Sequence, residues 1–108
     1  MSMRTINDLF PAFAFELEGL SLSAGRGELA AQIRGLPVLD RCRCGQEDCA
    51  HFYTAPKPVG TYGPGHTNVV LPASRGLVVL DLVDGMIVAV EILDRPDVKG
   101  VLDAYISK

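Results

Sequence analysis

Residues 77–93 read LVVLDLVDGMIVAVEIL, two runs of β-branched and other apolar residues joined by Asp84-Gly85. Asp-Gly between such runs is typical of a two-residue type I′ hairpin turn, because both central positions need a positive φ. The turn predicts a register in which residue 83 pairs with 86, 81 with 88, and 79 with 90. Both predicted faces are mostly apolar, so we expect the hairpin to lie in the centre of its sheet, covered on both sides by helices or by another subunit.

Two acidic residues interrupt this apolar hairpin. In the predicted register Asp81 and Glu91 lie on opposite faces, because side chains alternate along each strand. Exposure at an edge of the sheet would account for both carboxylates. A buried Asp81 with a raised pKa would instead mark a candidate site.

The N-terminal part of the chain has a helical pattern. Apolar residues at positions 6, 10, 13, 17 and 20 recur in steps of three and four, which predicts a helix from Asp8 to Leu20 with Asp8 as its N-cap. A strand over residues 12–18, where large apolar residues alternate with small or acidic ones, is the competing interpretation. A short second helix is predicted around residues 29–36.

The remaining segments complete the predicted architecture. Residues 55–66 are rich in proline and glycine and predict a loop, which a short strand over residues 68–71 follows. A C-terminal helix is expected after Asp94 as its N-cap. The predicted fold class is therefore α+β, with an N-terminal helix, an antiparallel sheet built from two hairpins and a short strand, and a C-terminal helix packed on the sheet.

Length and composition restrict the class of protein. A chain of 108 residues, 48% apolar and 21% charged, has the size of one domain and enough core-forming residues to fold, so we expect a single domain over residues 1–108. No run approaches the roughly 18 apolar residues of a membrane helix, and no export signal is evident, which predicts a cytoplasmic protein without a membrane partner. The net charge of −3 argues against nucleic acid as a partner.

All three cysteines and one of the two histidines lie within residues 42–51, in the pattern C-x-C-x4-C-x-H. Zinc prefers thiolate and imidazole ligands and takes four of them in structural sites. If residues 45–48 form a hairpin loop, Cys44 faces Cys49 and Cys42 faces His51, and all four project from one face. The sequence thus predicts a zinc site, with Arg41 and Arg43 on a reverse face that is solvated or meets a partner.

Other interpretations of the cluster stay open at this point. The three thiols would also suit a metal-free core, or a redox bridge between Cys44 and Cys49. A thiol enzyme would need a base beside Cys49, for which His66 in the glycine-rich loop is the best candidate. His66 is also an additional candidate metal ligand, and a site held by fewer than four residues would leave a position for water.

The string Cys42-x-Cys44, a spacer and Cys49-x-His51 resembles the ligand pattern of SWIM-type zinc fingers, a family that acts in DNA and protein binding. The resemblance covers about ten residues and implies a structural zinc. Its four-residue spacer is shorter than is typical of the family, and the acidic pI argues against DNA binding. Separately, residues 78–93 are similar to the hairpin of small uncharacterised bacterial domains, which implies a fold and no activity.

Together these patterns favour a small binding or interaction domain, stabilised by zinc, that associates with a protein partner or with itself as a dimer through leftover apolar sheet surface. The first alternative is a metal-free interaction protein with buried thiols. The second is a thiol or zinc hydrolase, or a redox enzyme, that uses Cys49. The sequence favours a binding role over an enzyme.

Overall fold

The computed structural model describes residues 3–107 and confirms the α+β class. Its elements, in chain order, are α1 (Ile6–Leu9), α2 (Pro11–Ser23), α3 (Gly27–Ile33), β1 (Asp40–Arg41), β2 (Phe52–Tyr53), β3 (His66–Val70), β4 (Leu77–Val83), β5 (Met86–Leu93) and α4 (Pro96–Tyr105). The five strands form one antiparallel sheet in the order β1-β2-β5-β4-β3. The hairpin of residues 77–93 is therefore central, as predicted.

The turn of this hairpin has the predicted conformation, with φ of 51° at Asp84 and 82° at Gly85. The register beyond the turn differs from the prediction. Leu82 pairs with Ile87, but Asp81 pairs with Ala89, so that Val88 is a bulge with no partner across the strand. Every pair further from the turn is shifted by one residue, and Val79 faces Glu91 rather than residue 90.

The helices cover one face of the sheet and form the core with it. From the strands this core takes Phe52, Val78, Leu80, Leu82, Ile87, Val90 and Ile92, and from the helices mainly Ile6, Phe13, Leu17, Leu29, Ile33, Val98 and Leu102. The bulge decides this composition, because it turns Val90 and Ile92 toward the helices. The opposite face has a different cover: the loop over residues 54–65 supplies Tyr62, whose ring lies 4.7 Å from that of His66.

The N-terminal helix begins earlier than predicted and is broken. Thr5, not Asp8, is its N-cap: the Thr5 hydroxyl accepts from the Asp8 amide, and the Asp8 carboxylate accepts from the Thr5 amide. The helical geometry stops at Phe10 and resumes at Pro11, because proline cannot donate the next helical hydrogen bond and suits a first turn. The alternative strand over residues 12–18 is wrong, and the second helix is confirmed as α3.

The C-terminal helix is confirmed, with its start displaced by one residue. Asp94 has a left-handed backbone with φ of 57°, so Arg95 occupies the N-cap position and Pro96 begins α4. Val98 and Leu102 pack this helix into the core. None of the helices formed by residues 3–107 combines the length and apolar character needed to cross a bilayer.

Leu80 tests where the core lies, because it is fully buried in the central strand β4. We expect Leu80→Ala to lower the free energy of unfolding by about 2–5 kcal/mol, through lost burial and the cavity that remains. The control Val70→Ala, at a side chain that is 65% exposed, should change it by less than about 0.5 kcal/mol. Urea denaturation measures both, and equal losses would contradict the assignment of the two faces.

Candidate metal centre and adjoining cavity

The cysteine-bearing hairpin has the predicted register, although its strands are only two residues long. Asp40 pairs with Tyr53 and Arg41 with Phe52. The pairing continues one step toward the loop, where the Cys42 amide donates to the His51 carbonyl over 2.9 Å. The segment that leads into β2 also pairs with β5, through an isolated bridge between Cys49 and Leu93. The cysteines therefore lie at the end of the sheet where three chain segments meet.

Three of the four predicted ligands come together. The sulfur atoms of Cys42 and Cys49 and a ring nitrogen of His51 all lie within 4.8 Å of one another. In a tetrahedral site with zinc–sulfur bonds of about 2.3 Å, neighbouring ligand atoms are about 3.8 Å apart. A contraction of about 1 Å would convert the observed arrangement into that geometry, which is within reach of side-chain rotation. These three residues are close enough to hold a metal ion.

Cys44 stands beside this group without belonging to it. It is exposed, and its sulfur lies 3.9 Å from the Gln46 side-chain oxygen. A hydrogen bond from the Gln46 backbone lowers the pKa of the Cys44 thiol, and hydrogen bonds from the Cys49 and Cys42 thiols lower it further. The Cys44 thiol is thus a neighbour of the other two, and its lowered pKa gives it more thiolate character than an ordinary cysteine has.

The environment of His51 suits a ligand. Burial lowers the pKa of this imidazole, which keeps it in the neutral form that binds metals. Its Nε2 is buried and has no hydrogen-bond partner among the described residues, which is costly for a polar atom unless a ligand satisfies it. Burial also raises the pKa of the Cys49 thiol to about 11, so a bound cation would be needed to deprotonate it near neutral pH.

The sequence predicts a reverse face that is solvated or meets a partner, and for Arg41 this is wrong. Arg41 is fully buried, and its guanidinium forms an ion pair with Asp103 of α4 and donates to the Ile106 carbonyl over 3.0 Å. Arg43 is exposed and pairs with Asp40 at 2.6 Å. The long side chain of Arg41 thus attaches the edge hairpin to the C-terminal helix, a contact that the alternation of residues does not reveal.

His66 lies elsewhere. It begins β3, and its Nε2 is 3.0 Å from the Asp81 carboxylate, whereas the group of candidate metal ligands does not include it. The structure thus pairs His66 with an acid and places it in a different cluster from Cys49, the thiol for which the sequence suggested it as a base.

Comparison with protein-family models, with curated proteins and with solved structures finds no match. No family is assigned. The resemblance to SWIM-type zinc fingers accordingly rests on the residue pattern and on the proximity of Cys42, Cys49 and His51.

The acidic pair is the part of the site that the predicted register hides. Because of the bulge at Val88, Asp81 and Glu91 lie on the same face of the hairpin and not on opposite faces. Neither is an edge residue, since β4 and β5 are both interior strands, and Asp81 is only 5% exposed. Burial, a hydrogen bond with Asp81 and the charge of Asp81 raise the pKa of Glu91 to about 7. Glu91 therefore keeps its proton to a higher pH than an ordinary glutamate does.

Glu91→Gln tests this pair through the pH dependence of stability. Folding raises the pKa of Glu91 from about 4.5 to about 7, so in this window the folded protein keeps a proton that the unfolded chain releases. The wild-type protein therefore loses stability as the pH rises through the window, and Glu91→Gln removes that loss. Relative to wild type, the variant should gain free energy of unfolding between these pH values and change no further above them.

Urea denaturation at a series of pH values measures this difference. Glu28→Gln is a suitable control, because the Arg26 side chain lowers the pKa of Glu28. The free energy of unfolding of Glu28→Gln, relative to wild type, should fall as the pH rises toward 4.5, the ordinary pKa of glutamate. It should then stay constant up to about pH 7, over the range in which Glu91→Gln gains stability relative to wild type. A difference between Glu91→Gln and wild type that is constant across the whole range would contradict the raised pKa of Glu91.

Proposed function

We propose that this protein is a small zinc-binding domain, in which Cys42, Cys49, His51 and Cys44 hold one structural zinc ion. The observation that carries the proposal is the approach of two sulfur atoms and an imidazole nitrogen to within 4.8 Å. Thiolate and imidazole ligands favour zinc over the hard cations, which prefer oxygen. Cys44 is assigned as the fourth ligand because its thiol neighbours those of Cys42 and Cys49.

A structural role follows from the place of the cluster in the sheet. Strands β1 and β2 have two residues each, and so short a hairpin has little stability of its own. A metal bound to Cys42 on one segment and to Cys49 and His51 on the other would join them where the backbone pairing ends. Structural zinc contributes directly to folding in this way.

Four protein ligands leave no coordination position for water or substrate, so this centre supports a binding domain rather than a metal-activated hydrolase. Association with a protein partner or with a second copy, and a cytoplasmic location, stay predictions that accompany the proposal. The metal-free protein with buried thiols and the thiol or zinc enzyme are the outcomes against which the proposal is tested.

Cys44→Ser is the sharpest variant for this test, because the side chain is exposed and packs into no core. If Cys44 is a zinc ligand, zinc affinity should fall by more than about a hundredfold, since even changes to groups that only orient a ligand cost about 10–100-fold. The melting temperature without chelator should fall as well. Competition with a chromophoric chelator gives the affinity, and elemental analysis of untagged protein gives the zinc content.

Glu47→Gln is the matched control, an exposed change in the same loop that keeps all four ligands. It should leave one zinc per chain and the wild-type affinity. Absence of zinc from protein purified without added metal, together with a melting temperature that chelator does not change, would reject the proposal in favour of buried thiols. Unchanged zinc affinity in Cys44→Ser would instead indicate an open three-ligand site and favour the zinc enzyme.

A further inference from the structure

A cavity of about 250 Å³ opens on the sheet face opposite the helices. It lies between β2, β5 and β4 and the loop that precedes β3. Its polar and aromatic wall consists of His51, Tyr53, Tyr62, His66, Asp81 and Glu91. Neither Cys42 nor Cys49 lines it, so the cavity is distinct from the sulfur ligands, although His51 belongs to both.

The cavity wall contains two carboxyl groups, and the basic side chains among its described lining residues are the histidines His51 and His66. Asp81 and Glu91 lie on the same face of the hairpin, and the Asp81 carboxylate lies 3.0 Å from His66 Nε2. The lining contains neither lysine nor arginine. A carboxylate in so confined a space attracts a cation more strongly than it does in water.

The aromatic side of the cavity has an unused polar group. The Tyr62 ring packs against that of His66, and the Tyr62 hydroxyl is buried without a hydrogen-bond partner among residues 3–107. Burial raises its pKa to about 12, so the hydroxyl stays protonated and able both to donate and to accept. The Tyr53 ring already carries the ammonium group of Lys57, 5.6 Å from its centre, which leaves Tyr62 as the aromatic wall for a ligand.

We propose that this cavity is a binding site for a small organic cation, an alkylammonium group held by Asp81 and Glu91 against the Tyr62 ring. The ammonium group donates hydrogen bonds to the carboxylates and to the Tyr62 oxygen, and its alkyl chain and charge meet the aromatic face. An anion would be repelled by the carboxylates, and a neutral molecule would gain no charge attraction from them.

A metal ion is the less suitable occupant. Within residues 3–107, three candidate ligand groups come close enough for a metal only at Cys42, Cys49 and His51, and the acidic pair is not part of such a group. The proposal extends beyond the zinc centre and does not rest on it, because the ligand contacts carboxyl and tyrosine groups that are not zinc ligands.

The test is an NMR titration of the protein as purified with three compounds of nearly equal size: n-butylammonium, 1-butanol and butyrate. Butylammonium should shift the amide signals of residues around Tyr62, Asp81 and Glu91 in a saturable way, while butanol and butyrate should not. Equal binding of butanol would overturn the proposal in favour of an apolar pocket. No saturable shift with any compound would overturn it as well, leaving a cavity filled by water.

Variants locate the contact. Tyr62→Phe removes only an unpartnered hydroxyl in a loop and should fold normally, and Glu91→Gln replaces the ionisable carboxyl with a neutral amide at nearly constant shape. Each should weaken butylammonium binding by about tenfold, the scale of one hydrogen bond to a charged group. Glu28→Gln, which makes the same replacement at an exposed position away from the cavity, should bind like wild type.

Magnesium and zinc chlorides complete the set. If either ion displaces butylammonium in wild type but not in Glu91→Gln, the acidic pair is a metal site and the proposal is wrong. Loss of binding in Glu28→Gln to the same extent as in Glu91→Gln would show that only the overall charge of the protein matters, and would also overturn it.

Discussion

The one-residue bulge at Val88 is the constraint on which the rest of the structure depends. It lies next to the turn, so the shift in register that it introduces applies to the whole length of β5 beyond it. Without it, Val90 and Ile92 would face away from the helices and Glu91 would point into the core. A buried carboxylate without a partner there would cost several kcal/mol. The bulge thus provides an apolar face for the helices and gathers the acids on the other face.

The bulge at Val88 is held in place by the segment of the same chain that follows β2. Its carbonyl accepts hydrogen bonds from the amides of Thr54 and Ala55, at 2.9 and 3.3 Å, just where β2 ends and the loop begins. The Thr54 hydroxyl also donates to the Ile87 carbonyl over 3.0 Å. The Val88 and Ile87 carbonyls at the bulge are therefore satisfied, and the same bonds set the direction in which the loop leaves the sheet toward Tyr62.

Sequence patterns predicted the features that depend on neighbours along the chain. The Asp84-Gly85 turn, the central position of its hairpin, the register that pairs residue 42 with residue 51, and α4 all follow from local spacing and turn chemistry. The bulge did not, because no residue in β5 marks it: the strand can bury either alternating set of apolar side chains. Packing against the helices chooses between them, and that choice is made by tertiary contacts.

Tertiary contacts also decide which charged residues are buried. Arg41 alternates with cysteines on a hairpin and gives the pattern of an outward side chain, but it is buried because Asp103, 62 residues away, supplies its counter-ion. Arg95 is likewise buried. Its guanidinium forms an ion pair with the Glu16 carboxylate of α2 at 2.7 Å and lies over the Phe13 ring. A buried guanidinium requires such partners. Partners distant in sequence are not evident from composition or periodicity, so the alternation of residues gives no sign that Arg41 is buried.

His51 connects the two clusters through strand geometry alone. Residues two apart on a strand share a face, so Cys49 and His51 project on the side where the bulge also places Glu91. One imidazole therefore stands between sulfur atoms on one side and carboxyl groups on the other. A metal held at the sulfurs would fix the orientation of that ring, and the ring forms part of the cavity wall. The alternation of side chains along a strand and the one-residue bulge at Val88 are therefore sufficient to place a thiol cluster beside an acidic cavity in this five-stranded sheet.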